Sequence, residues 1–333
     1  MKAVMMNTPG EPEVLQPGET ETPAIERPGD MLVRLRAAGI NPVDTKLRSH
    51  GTYYPDRMPA VLGCDGAGVV EAVGDGVSRF KPGDAVYFCN GGIGGHPGTY
   101  AQYAVIDQDF AAHKPATLDF AEAAAVPLVL ITAWEALHDR AHIDDGHTVL
   151  IHAGTGGVGH VAIQLARLTG ARVCTTVSSP DKATFAAELG AELTIDYRTQ
   201  DFAQVARAWT DGEGVDTVFD TVGGATFEQS FTALRLYGEL ITLLQPGKDV
   251  DWKEARLRNL RIALELMLSP MFLGQHAAQV HQAGILSEGA KLIDSGQLQV
   301  HVAQTFPLSE AASAHRQLER GGFLGKLVLD IDA

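Results

Sequence analysis

Two rhythms of apolar and polar residues divide this chain. Up to about residue 127 the period is two: residues 31–36 and 68–73 send alternate side chains to opposite faces. Pro28-Gly29-Asp30, Gly74-Asp75-Gly76 and Lys81-Pro82-Gly83-Asp84 separate such runs as turns. Short strands between Gly and Pro predict a β-rich, barrel-like segment. A helix is expected over 120–138, and then the rhythm changes. Strands at 148–151, 171–177, 193–196, 215–220 and 238–243 alternate with helices at 158–168, 182–189, 202–210 and 227–236. That order predicts an α/β fold, a doubly wound parallel sheet with helices on both faces and ligand off the strands' carboxyl ends. Residues 260–268 are apolar at nearly every position, which suggests an interface or a fully buried element. A helix over 277–295 and a strand over 326–330 close the chain, so the alternating α/β unit lies between two pieces of something else.

The stretch 148–168, TVLIHAGTGGVGHVAIQLARL, runs from strand through glycine turn to amphipathic helix. Glycine is needed there for a tight reversal, for close approach of backbone to a pyrophosphate, and to seat the helix on its strand. The helix start then offers free N–H groups and a positive dipole end. Gly154, Thr155, Gly156, Gly157, Val158 and Gly159 are the candidate dinucleotide contacts. NAD sites place a carboxylate roughly 20 residues past these glycines. Here Ser178-Ser179-Pro180-Asp181-Lys182 follows the next strand instead. Two hydroxyls and an ammonium suit a 2′-phosphate, so NADP(H) is favoured. Alternatively Ser178, Ser179 and Asp181 only cap the helix that follows.

Composition narrows the partners. The chain has 333 residues, more than one typical core holds. Lys and Arg number 26 against 41 Asp and Glu, net −15, which disfavours nucleic acid or an anionic membrane. No apolar run reaches the ~20 residues of a membrane span, and the first residues read as a strand, not a secretion signal, so a cytoplasmic location is expected. Cys64, Cys89 and Cys174 build neither a disulfide framework nor a four-cysteine zinc site. None of the 12 histidines falls in a ligand pattern, and His50, His96, His152 and His160 read as surface or satisfied loop residues.

Further motifs are Ala38-Gly39-Ile40-Asn41-Pro42-Val43-Asp44, Gly63-Cys64-Asp65-Gly66-Ala67-Gly68-Val69-Val70, Phe80-Lys81-Pro82-Gly83-Asp84, Gly98-Thr99-Tyr100-Ala101-Gln102-Tyr103, Asp196-Tyr197-Arg198 and Gly325-Lys326-Leu327-Val328-Leu329. With the glycine turn, they make the chain resemble, over essentially its whole length, zinc-free members of the medium-chain dehydrogenase/reductase superfamily. The nearest group is the quinone oxidoreductases related to ζ-crystallin. The resemblance implies a GroES-like catalytic domain in two segments, 1–126 and 269–333, around a Rossmann NADP(H)-binding domain at 127–268. A small quinone or enone is the implied substrate, and the apolar run at 260–268 suits strand pairing across a two-fold axis, so a homodimer is expected. In relatives that are alcohol dehydrogenases a catalytic zinc sits on a cysteine where this chain has Asn41, on a histidine where it has Cys64, and on a later cysteine near Leu128. No metal is therefore expected, and without a Lewis acid alcohol oxidation loses its driving element. Hydride delivery to a quinone or an α,β-unsaturated carbonyl needs less help.

By the same resemblance Asn41 and Thr132 lie near the nicotinamide, while Asn41 reads equally as a turn residue before Pro42 and Thr132 as back-bonded in its helix. Tyr53 or Tyr54 stands where some relatives carry a proton-donating tyrosine; a loop-edge ring is the alternative. Tyr197 and Lys182 match positions that bind the adenosine phosphate, and Lys326 is a further cofactor candidate unless it simply opens an exposed strand. Two other functions stay open: a metal alcohol dehydrogenase using Cys64 and Asp65, and a nucleotide-binding interaction protein without turnover.

Overall fold

A computed structural model describes residues 1–333, and the chain divides into two compact units. One comprises Met1–Ile131 and Leu268–Ala333, the other Thr132–Met267. The first crossing thus falls inside the helix Pro127–Trp134 rather than at residue 126.

In the first unit the strand Asp30–Ile40 organises a seven-stranded sheet. It pairs antiparallel with Asp65–Val73, with Tyr103–Asp107 and, through Leu327↔Ile40, with the last strand Lys326–Asp330. That last strand is interior, because Val302–Pro307 covers its other side in parallel. A helix the alternating pattern does not announce, Pro42–His50, follows the long strand directly. Asn41 is extended at its N-cap, Pro42 suits the first helical position, and the Asp44 carboxylate accepts the Asn41 N–H at 2.8 Å.

The expected helix over 120–138 is broken. Phe120–Ala124 is opened by a reciprocal Asp119/Glu122 capping box and lasts one turn, and a new helix starts at Pro127, whose missing N–H no preceding turn can use. It ends in a wide turn over Glu135–Arg140.

The second unit is a six-stranded all-parallel sheet. Its order is Leu193–Asp196, Arg172–Val177, Thr148–Ile151, Val215–Asp220, Leu234–Thr242 and Arg261–Leu264. The chain builds outward from Thr148–Ile151 to one side, then returns to build on the other. The carboxyl end of that strand is therefore the switch point where α/β sheets bind ligands. Two expectations are corrected here. The helix Ala225–Ala233 stops before residue 236, because Leu234 already pairs with Val215 and a bulge with Tyr237 at φ +60° re-aims the strand. The apolar run at 260–268 is not fully buried: Arg261–Leu264 is an edge strand with one neighbour, and Leu264 and Leu266 are 59% and 52% exposed. No helix is long and apolar enough to cross a membrane.

Candidate functional site

Ile151 ends the central strand, and within eight residues the chain reverses into the helix Gly157–Leu168. Ala153 takes a left-handed φ of +51°, and the Gly156 N–H closes on the Ala153 carbonyl at 2.9 Å. The glycines have different tasks. A Cβ on Gly154 would stand 2.0 Å from Thr175 Oγ1, and one on Gly159 2.3 Å from the Ala153 carbonyl oxygen, so both let helix and strand touch. A Cβ on Gly156 meets only that carbonyl, at 3.3 Å. The first helical bond runs from His160 N–H to the Gly156 carbonyl, which leaves the N–H groups of Gly157, Val158 and Gly159 without intrahelical partners. A row of open amides at a helix start over a glycine bend fits a dinucleotide pyrophosphate.

Register assembles the adenosine end. Val177 pairs with Asp196, so the residues after both strands lie side by side. Ser179 caps the helix Pro180–Glu188 by accepting the Lys182 N–H at 3.3 Å, as the capping alternative expects, and its own O–H stays available to donate. Ser178 is half-buried and the Lys182 ammonium has no ion pair. Tyr197 is exposed, and beside it stands Arg198, the third residue of the motif Asp196-Tyr197-Arg198 and not among the expected coenzyme contacts. Arg198 holds Asp196 at 3.4 Å, so that carboxylate is already paired.

In the first unit the candidates converge on a buried charge cluster. The Lys326 ammonium donates to the Ile40 carbonyl at 3.0 Å and to Asn41 Oδ1, and lies 3.6 Å from Asp65 Oδ2. The Asn41 Nδ2 donates to that carboxylate at 2.8 Å, and the Leu128 N–H binds its other oxygen at 2.8 Å. A donor-only partner at one end and an acceptor-only partner at the other fix which way the carboxamide faces. Lys326 therefore does not open an exposed strand; it is buried, as are Asn41 and Asp65. Burial pushes Asp65 up and Lys326 down, each against the attraction of the other. Asp44, which also accepts from Tyr100 at 3.2 Å, is pushed up to about 7, burial being the largest cause. Of the positions compared with the zinc ligands of alcohol dehydrogenases, Asn41 binds an ammonium. Cys64 is buried against Cys89, and although the Cys89 S–H favours its thiolate, burial and the nearby Asp44 and Asp65 carboxylates leave its thiol raised.

Tyr53 and Tyr54 become distinguishable. Tyr53 is 42% exposed with its ring 4.7 Å from Phe272, while Tyr54 is half-buried, 6.1 Å from the same ring and 5.4 Å from the Arg57 guanidinium. Thr132 is buried in its helix. His152 and His160 are buried too, the latter holding the Gly156 carbonyl at 2.9 Å from within the helix. Against expectation one histidine does meet possible ligands: His276, Asp107 and Asp109 lie within 4.8 Å of one another, with Arg27 and Arg79 pairing the two carboxylates.

Comparison with known proteins agrees with this geometry. The model of the alcohol dehydrogenase GroES-like domain matches residues 27–116, and that of the zinc-binding dehydrogenases matches 189–329. A quinone oxidoreductase of Pseudomonas aeruginosa is 35% identical over 98% of this chain and 99% of its own. This chain belongs to the quinone oxidoreductase family of the medium-chain dehydrogenases/reductases. Another relative is a 2-haloacrylate reductase of Burkholderia sp, 34% identical over 91% of each chain. Among solved members of the family, the Escherichia coli quinone oxidoreductase complexed with NADPH matches with a TM-score of 0.87 at 32% identity, covering 99% of this chain and all of that one.

Proposed function

We propose that this chain is an NADPH-dependent reductase of quinones or α,β-unsaturated carbonyls that works without a metal ion. The observation that carries the reading is the open row of amides at Gly157, Val158 and Gly159 together with an unpaired Lys182 ammonium after the next strand. Gly154, Thr155 and Gly156 complete the pyrophosphate turn, and Ser178, Ser179, Lys182, Tyr197 and Arg198 would hold the 2′-phosphate and adenine. NADPH, when bound, supplies the hydride. No metal is invoked in this reading, and the Lys326 ammonium supplies a positive charge beside Asp65.

Reduction of the acceptor builds negative charge on its oxygen, which a positioned donor stabilises. We assign that donor to Tyr53, the more exposed of the two phenols, with Tyr54 and Phe272 offering ring surface to a planar acceptor. Asn41 and Lys326, buried and bonded to each other, would contribute a fixed dipole and charge, and Thr132 a buried hydroxyl. A homodimer belongs to the same proposal, paired through the edge strand Arg261–Leu264.

Stopped-flow loss of NADPH absorbance with 1,4-benzoquinone and with a simple enone tests it, on protein dialysed against a chelator. Turnover of at least one acceptor, unchanged by the chelator, is expected. Binding of NADPH with turnover of neither would favour a nucleotide-binding interaction protein. Stoichiometric zinc, with activity lost on its removal, would favour an alcohol dehydrogenase.

A further inference from the structure

His152 is 1% exposed at the end of the central strand, and its imidazole joins three elements. Nδ1 lies 3.2 Å from Thr176 Oγ1, Nε2 lies 3.0 Å from Ser230 Oγ, and Phe202 packs edge-on at 4.7 Å. The proton on each heteroatom follows from its neighbours. Ser230 gives its hydroxyl hydrogen to the Thr226 carbonyl at 2.6 Å, so it can only accept from His152, which places the ring proton on Nε2. Nδ1 is then an acceptor and takes the Thr176 hydroxyl hydrogen. Thr176 Oγ1 in turn accepts the Ala153 N–H at 3.0 Å. One directed run of hydrogen bonds thus leads from the helix Ala225–Ala233 to the amide of Ala153.

Ala153 is the residue that enters the glycine bend in the left-handed region, where a side chain is strained. Its carbonyl also receives the Gly156 N–H that sets the start of the helix. Whatever holds the Ala153 amide therefore sets the aim of the amides at Gly157, Val158 and Gly159. Burial drives the imidazole toward its neutral form, down to about 4, which keeps Nδ1 able to accept.

We propose that His152 is a positioning residue for the coenzyme, holding the pyrophosphate turn in shape through Thr176 without touching the ligand. The inference rests on the reading that this turn binds NADPH. It calls for a probe that separates the turn from the adenosine end, and adenosine 2′-monophosphate is one, since it carries the 2′-phosphate and no pyrophosphate. His152→Phe keeps a buried aromatic ring but breaks the run. Its dissociation constant for NADPH should rise about tenfold, while that for adenosine 2′-monophosphate changes less than about twofold. Thr176→Val cuts the same run at the next atom and suits a strand. It should reproduce the pattern, and the double variant should bind NADPH no worse than the weaker single one. Equal weakening of both ligands, no weakening of either, or additive effects of the two substitutions would overturn the inference. If His152→Phe does not fold, Thr176→Val alone decides by the same two constants. Failure of the unsubstituted protein to bind NADPH would instead sink the coenzyme reading itself.

Discussion

Asp44 and His315 stand at the two ends of one buried contact run through Tyr100, and burial drives them in opposite directions. Asp44 rises to about 7 from 3.8, while His315 falls to about 3 from 6.5, with the Arg48 charge adding to the effect of burial. Between about pH 4 and 7 the native protein keeps a proton on Asp44 that the unfolded chain has lost, so this group's contribution to stability falls as pH rises. Between about pH 3 and 6.5 the unfolded chain holds a proton that native His315 refuses, so the histidine contribution rises. Asp44→Asn retains an acceptor for the Asn41 N–H but removes one titration. Relative to the unsubstituted protein, its urea midpoint should climb steadily from about pH 4 to 7; parallel curves would refute the assignment. Lys182→Ala should weaken NADPH about tenfold and NADH less than about twofold, read by titration of nucleotide fluorescence. Lys182 could be picked out as a candidate in the sequence because its place after the second strand gives it meaning. The buried pairing of Lys326 with Asp65 beside Asp44 could not, since nothing in Gly325-Lys326, Gly63-Cys64-Asp65 or Asn41-Pro42-Val43-Asp44 says that these side chains come together out of water.

The glycine turn shows what an element's sequence discloses and what it withholds. Its position between strand and helix was readable from 148–168, and so was the need for several glycines. Which glycine does what was not, because that depends on the atoms each one faces. Gly159→Ala drives a Cβ to 2.3 Å from a backbone oxygen that has nowhere to move, and should lower the melting temperature by several degrees, about 4 °C or more. At Gly156 the φ of −77° is ordinary and the nearest atom is 3.3 Å away. Gly156→Ala should therefore melt within about 2 °C of the unsubstituted protein yet bind NADPH about tenfold more weakly, because the new methyl occupies space a pyrophosphate needs. Calorimetry and titration on the two variants check both halves. The helix Pro42–His50 and the break before Pro127 escaped for a related reason. Prolines at helix starts look in sequence like loop punctuation, or vanish inside a favourable apolar period.

At the scale of the whole molecule the open question is what meets the free edge of the nucleotide-binding sheet. Arg261–Leu264 hydrogen-bonds to one neighbour only, and Leu264 and Leu266 stand in solvent on a sequence apolar enough to suggest burial. An edge of this kind is a template for another strand, and natural sheets guard such edges with charge, bulges or cover. The one charge at the start, Arg261, is bound to Glu239 of the adjacent strand and so does not guard this edge. A second copy placed about a two-fold axis would cover the same residues on both chains, consistent with the proposed homodimer. Leu264 is already 59% exposed, so Leu264→Lys should leave the fold and its melting temperature nearly unchanged while setting two ammonium groups against each other across the axis. Sedimentation should show the mass of two chains for the unsubstituted protein and of one for the variant, with the variant's NADPH affinity intact because the turn at Gly154–Gly159 lies at the middle of the sheet, not at its edge. A variant that sediments as the unsubstituted protein does would remove this strand from the interface.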